Sequence, residues 1–184
     1  MRIIAGKYRG RKFDLPKGSS TRPTLDRIKE NLFNIINFNI AGSVCLDLFA
    51  GSGALGFECL SRNAEQVIFV DEKNENIKNI KTFLNVVEDK NSYALCSDFE
   101  DALKKFSTER KKFDIIFIDP PYDSPFAEKA IKLINHFDLL ADDGLIVWEQ
   151  LAELNKMQGF VSPFKIHDER NYGIVKLVFL KNQK

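Results

Sequence analysis

The chain has 184 residues and a mass of 21.1 kDa, a length that supports one domain built around one sizeable core. Apolar residues make up 44% and charged residues 29%, and no run of about 18 apolar residues occurs, so wholesale disorder and a membrane-spanning helix are excluded. The formal charge of +1 conceals an asymmetry: residues 1–22 carry Arg2, Lys7, Arg9, Arg11, Lys12, Lys17 and Arg22 against Asp14 alone, a net +6, which leaves −5 for the rest.

Such a basic arm on an acidic body suits a polyanionic partner; the alternative is a solvated tail. Within it, residues 2–5 and 11–15 are short extended candidates around Lys7-Tyr8-Arg9-Gly10, and the flanking Gly6 and Gly10 point to a hairpin. Residues 16–20 read as loop. Pro23 opens a helix in which Leu25, Ile28, Leu32, Ile35 and Ile36 recur at helical spacing until Gly42. From residue 43, strands at 44–49, 66–71, 93–97, 113–119 and 145–149 alternate with helices at 54–62, 77–87, 99–106 and 127–137. Two last strands, 164–168 and 174–180, flank Asn171-Tyr172-Gly173. The alternation implies βαβ units, an α/β fold with a doubly wound, mostly parallel sheet and an antiparallel C-terminal edge. The expected division is a basic hairpin and helix over 1–42 and a sheet domain over 43–184. The first seven residues hold no signal-peptide core. Cys45, Cys59 and Cys96, odd in number and each in an apolar stretch, read as reduced core residues. With only His136 and His167 beside them, the expectation is a cytoplasmic protein without a metal site.

Gly51-Ser52-Gly53-Ala54-Leu55-Gly56 matches G-x-G-x-x-G between a strand and a helix, and Asp71 ends the next strand 20 residues after Gly51. Alone, this fingerprint supports a nicotinamide-dinucleotide enzyme. Asp47, just before the glycines, argues against that reading, because a carboxylate there repels a pyrophosphate. It suits a cationic ligand such as the sulfonium and ammonium of S-adenosyl-L-methionine, whose carboxylate the helix N-terminus could hold. Otherwise Asp47 is a cap or turn residue. Asp71 is placed to accept ribose hydroxyls, with Glu72 as the alternative. Asp98, closing the third strand, either accepts from an adenine amino group or caps the next helix.

Asp119-Pro120-Pro121-Tyr122 follows a strand apolar on both faces, hence central. The two prolines fix φ and remove two N–H donors, and each residue before a proline is pushed to extended geometry. A stiff turn results, offering the Asp119 carboxylate and the Pro120 carbonyl as acceptors beside the Tyr122 ring. Two acceptors on the N–H groups of an exocyclic aromatic amine would aim its delocalised lone pair at an electrophile. Tyr122 would stack on a splayed-out base.

Asp47-Leu48-Phe49-Ala50-Gly51-Ser52-Gly53-Ala54-Leu55-Gly56 with Asp119-Pro120-Pro121-Tyr122 resembles the amino-methylating class I S-adenosyl-L-methionine-dependent methyltransferases, which are Rossmann-like. Arg2-Ile3-Ile4-Ala5-Gly6-Lys7-Tyr8-Arg9-Gly10-Arg11, Arg22-Pro23-Thr24-Leu25-Asp26-Arg27 and Glu30-Asn31-Leu32-Phe33-Asn34 narrow the resemblance to the RsmD family. The likeness extends over nearly the whole chain. It implies methylation of the N2 amino group of one guanine, of the guanine-966 type, in bacterial 16S rRNA. The substrate would be naked rRNA, the small subunit or an assembly intermediate. The resemblance places Asp47, Phe49, Gly51, Ser52, Gly53, Asp71, Glu72, Asp98, Phe99 and Asp119 at the cofactor. Asp119, Pro120, Pro121 and Tyr122 fall at the target amine, and Lys7, Arg9, Arg11, Lys12, Arg22 and Arg27 at RNA. Transfer would be direct, from a monomer, with no metal. Two departures stand out: the family's second strand usually ends in Glu with Asp two residues on, where this chain has Asp71-Glu72-Lys73, and Phe99 replaces a small residue. A DNA adenine-N6 methyltransferase shares the Asp119 chemistry, yet a duplex-reading enzyme needs more than a hairpin and one helix outside its sheet.

Overall fold

A computed structural model describes residues 1–13, 23–121, 124–154 and 162–183. Seven strands form one sheet in the order β3-β2-β1-β4-β5-β7-β6. They are β1 (Val44–Asp47), β2 (Gln66–Asp71), β3 (Tyr93–Cys96), β4 (Phe113–Ile118), β5 (Leu140–Leu151), β6 (Lys165–Tyr172) and β7 (Val175–Lys181). The first five are parallel; β7 inserts antiparallel between β5 and β6. Helices α2 (Ala54–Ser61), α3 (Asn74–Val86), α4 (Phe99–Thr108) and α5 (Phe126–His136) make the crossovers, and α1 (Pro23–Ile35) precedes β1.

Strand alternation divides the core between the two faces of the sheet. Cys45, Val67, Phe69, Ile115 and Phe117 join α1, α2 and α3 in one apolar cluster. Leu46, Ile68, Val70, Ile116 and Ile118 join α4 and α5 in the other. The central strands are thus apolar on both sides, as their sequences imply.

The N-terminal segment is a short hairpin with a single antiparallel bridge, Arg2 to Lys12, and its Ile3 is 1% exposed within the α1–α3 cluster. Residues 14–22, which include the expected loop at 16–20, lie outside the described residues. β5 starts five residues earlier than expected. Asp142-Asp143-Gly144 reads as a turn, but Phe113 pairs with Leu140 and Ile115 with Leu145, so β5 absorbs three extra residues as an irregularity without ending. Cys96 is also a correction: it is exposed, whereas Cys45 and Cys59 are buried. Position 96 is the last of β3, where the chain leaves the sheet. No helix among the described residues is long and apolar enough to cross a membrane.

Candidate active site

The loops leaving β1 to β4 at their carboxyl ends, with Asn76, Phe126 and Glu149, enclose a cavity of about 480 Å³. In an open α/β sheet this is where ligands bind, at the point where strand order reverses, here between β1 and β4. The volume suits a ligand of nucleoside size.

β1 delivers Leu48, Phe49 and Gly51 to the wall. The loop that follows turns left-handed at Gly51 (φ 51°) and Gly53 (φ 78°), conformations that glycine adopts without a Cβ penalty. At Gly56 a Cβ would stand 2.1 Å from the Phe69 ring, so α2 lies directly on β2. Asp71 holds the loop: its Oδ2 accepts the Gly51 N–H at 2.8 Å and its Oδ1 the Lys73 N–H at 2.7 Å. Each carboxylate oxygen has two lone pairs, so Asp71 retains acceptor capacity toward the cavity that it lines with Glu72.

Asp98 and Phe99 come from the end of β3. The structure shows the capping geometry for Asp98: its Oδ1 accepts the Glu100 N–H at 2.7 Å at the start of α4. Phe99 is buried against Phe49 (5.3 Å between ring centres) and Phe126 (5.4 Å), an apolar wall that a small residue would leave open. From β4 come Asp119, Pro120 and Pro121. Ser124 donates its N–H (3.0 Å) and Oγ (2.6 Å) to the Pro121 carbonyl. Tyr122 lies outside the described residues, as does Arg22.

Asp47, Ser52 and Gly53 are not part of the wall. Asp47 is 2% exposed behind the glycine loop, where its Oδ2 accepts the Gly56 N–H at 3.0 Å. Burial pushes its carboxyl up to about 7, against the Gly56 hydrogen bond and with a small addition from Asp71. Burial, then Glu149, then Asp47 push the Asp119 carboxyl well above the usual carboxylate range. Asp71, Glu72, Asp98, Asp119 and Glu149 line the cavity against Lys73 alone, among the described residues. Such a wall disfavours a pyrophosphate and favours a cation.

The basic arm is docked. Both oxygens of the fully buried Glu58 accept its backbone, from the Ile4 and Ala5 N–H groups at 3.0 Å each, and Ser61 receives the Lys7 and Tyr8 N–H groups at 2.8 and 2.9 Å. Lys7, Arg9, Arg11 and Lys12 remain exposed, as does Arg27 on α1. Arg9 and Arg27 share a second, polar cavity of about 400 Å³ with Arg2, Asp26 and Glu30.

Residues 1–181 match the family described as conserved hypothetical protein 95. The chain is 36% identical to ribosomal RNA small subunit methyltransferase D of Haemophilus influenzae, over 99% of this chain and 94% of that one. The chain belongs to the RsmD family. It is also 34% identical to the protein of the same name from Escherichia coli K12, over 95% of this chain and 86% of that one. The solved structure of the yhhF protein from Escherichia coli superposes with a TM-score of 0.85 at 31% identity, covering 100% of this chain and 99% of that one. Membership in the RsmD family sets aside the nicotinamide reading of the glycine loop. Sequence reasoning missed Phe126, Asn76, Lys73 and Glu149. Glu149 alone left a usable signal, an acid at the end of a strand that runs parallel to the Asp119 strand.

Proposed function

We propose that this protein methylates the exocyclic N2 amino group of a guanine in small-subunit rRNA, with S-adenosyl-L-methionine as donor. The observation that carries this reading is the acid-rich cavity at the carboxyl ends of the strands, with Asp119-Pro120-Pro121 in its wall. The family relatives, themselves named as rRNA methyltransferases, supply the substrate class.

The wall fits the proposed cofactor. Asp71, with Glu72 beside it, accepts ribose hydroxyls; Phe49 and Phe99 provide an apolar face for adenine, and Asp98 an acceptor at its edge. Gly51, Ser52 and Gly53 shape the loop at the methionine end. Asp47 acts from behind, fixing α2 through the Gly56 N–H rather than touching the ligand. The bound cofactor supplies an electrophilic methyl group on a cationic sulfur.

Asp119 and the Pro120 carbonyl accept the two N–H groups of the target amine, which turns the nitrogen lone pair toward the methyl carbon. With the cofactor bound, transfer of its methyl group from sulfur to that nitrogen would leave the nitrogen cationic, with one proton to lose. A carboxylate held above its usual range is a better acceptor for that proton than an ordinary one, so Asp119 takes it before water does. Pro121 stiffens the turn, and Tyr122 stacks on the base. Lys7, Arg9, Arg11, Lys12, Arg22 and Arg27 hold the phosphates of rRNA.

The test is methyl transfer from labelled S-adenosyl-L-methionine. The acceptors are small ribosomal subunits lacking their native N2-guanine methylation, naked small-subunit rRNA, and DNA free of adenine methylation. The expected product is N2-methylguanosine from a ribosomal acceptor. Label confined to N6-methyladenine would overturn the substrate and retain the chemistry.

A further inference from the structure

We infer that Glu149 is the residue that selects guanine over adenine, by accepting the N1–H of the target base while Asp119 holds its amino group; this rests on the guanine-N2 reading above. β4 and β5 are parallel neighbours with Ile118 opposite Trp148, so the next residue of each strand, Asp119 and Glu149, adjoin at the carboxyl edge. Ile118 and Trp148 are buried in the same cluster on one face. Alternation therefore turns Asp119 and Glu149 together to the other face, and both line the same cavity. Glu149 is held from its far side by pairing with Leu177 of β7, so it projects from an interior strand rather than a loop. Its charge is the strongest electrostatic influence on the Asp119 carboxyl after burial.

Two adjoining carboxyls form a double acceptor. The edge of guanine offers the matching pair of donors, the N2 amine and the N1–H. Adenine offers an amine beside a bare N1, whose lone pair would face the second carboxylate. A carboxylate has about four acceptor sites, which Glu149 divides between its interactions within the protein and the base. A site that accepts a hydrogen from the base discriminates strongly against one that turns a lone pair toward the same carboxylate.

The experiment compares small subunits reconstituted around rRNA that carries either guanine or 2-aminopurine at the nucleotide the enzyme labels. 2-Aminopurine keeps the N2 amine and has a bare N1. The natural enzyme is expected to prefer guanine by about 100-fold or more in kcat/KM. Glu149→Gln presents an amide N–H to N1, so the preference should fall by about tenfold or more, with S-adenosyl-L-methionine affinity within a few-fold. A preference unchanged in Glu149→Gln while both rates drop would reduce Glu149 to a structural neighbour of Asp119 and overturn the inference. A large loss of cofactor affinity in that variant would place Glu149 at the cofactor and overturn it equally. Equal rates on the two bases with the natural enzyme would overturn it without any variant. Absence of N2-methylguanosine from every acceptor would instead refute the guanine reading on which it rests.

Discussion

Replacing Asp47 by asparagine should flatten the dependence of stability on pH. The carboxyl is 2% exposed and accepts one hydrogen bond, from Gly56, and burial pushes it up to about 7 from an unfolded value of 3.8. The folded protein therefore holds this proton more tightly than the unfolded chain does. The resulting stability is complete below the unfolded value. It is lost as pH rises toward 7, because the unfolded chain releases its proton while the folded one keeps it. The slope is about 1.36 kcal/mol per pH unit, so the loss between pH 5 and pH 7 is about 2.7 kcal/mol. Urea unfolding of the natural protein and Asp47→Asn at pH 5 and pH 8 isolates this quantity, since groups that titrate in both proteins cancel in the difference. The asparagine oxygen keeps the Gly56 bond, and the cost of its buried amide is the same at both pH values. The gap between the two proteins should change by about 2.7 kcal/mol in favour of the variant at the higher pH. A change within the error of the two measurements would refute the reasoning. Asp47 would then be an ordinary carboxylate, ionised in the folded protein across this pH range.

Asp119→Ala should lower methyl transfer by about 10³-fold or more and leave S-adenosyl-L-methionine affinity within a few-fold, as isothermal titration of the folded variant would show. If about four arm cations meet phosphates, the log–log salt slope of RNA affinity is about −3. Neutralising Arg9, Arg11 and Lys12 should bring it to about −1, and a slope already near zero in the natural protein would remove the arm from the interface. Glu58→Gln should cost about 3–5 kcal/mol in urea unfolding. Glu58 is fully buried with Arg62 at 3.3 Å and Lys29 at 3.7 Å, and losing one partner of a buried ion group leaves the others uncompensated. A loss below about 1 kcal/mol would mean that water already solvates the junction.

Elements with a clear period were legible in the sequence. The double-faced apolar run at 113–118 became the central strand of the sheet, and the loop between Gly51 and Gly56 bends where its glycines permit. Short-range rules failed where tertiary pairing overrides them. Asp142-Asp143-Gly144 has turn composition, yet β4 pairs with β5 on both sides of it, at Leu140 and again from Leu145. At the site, residues on strand-end loops were legible because position in the chain maps directly to the carboxyl edge of the sheet. Phe126 was not, because it begins a helix that an apolar period alone assigns to the core. Asp47 shows the reverse limit. Its type and place in the chain suggest ligand contact, but the side chain of the last residue of a strand can point behind the loop, and here the Gly56 N–H captures it.

If the basic arm holds phosphate, as proposed above, burial of its base has a use. A solvated tail would hold RNA as well by charge alone, but it would not orient a base over Asp119 to the accuracy that methyl transfer requires. The arm instead places Ile3 in the same apolar cluster as Ile28, Leu32 and Phe57. Its backbone N–H groups end on Glu58 and Ser61, both in α2. That helix begins at the glycine loop, with Gly53 as its N-cap, and Asp47 ties its third residue, Gly56, to β1. One eight-residue helix thus joins the arm to the glycine loop, a distance of about 12 Å along its axis, through hydrogen bonds made at buried or partly buried atoms. At Gly6 an added Cβ would fall 1.9 Å from the Ser61 carbonyl oxygen, so the contact is backbone on backbone, with no flexible side chain between them. Under the proposed function, this covalent and hydrogen-bonded geometry sets the direction of RNA approach relative to the methyl donor, and a variant that loosens Glu58 should misplace the base before it weakens cofactor binding.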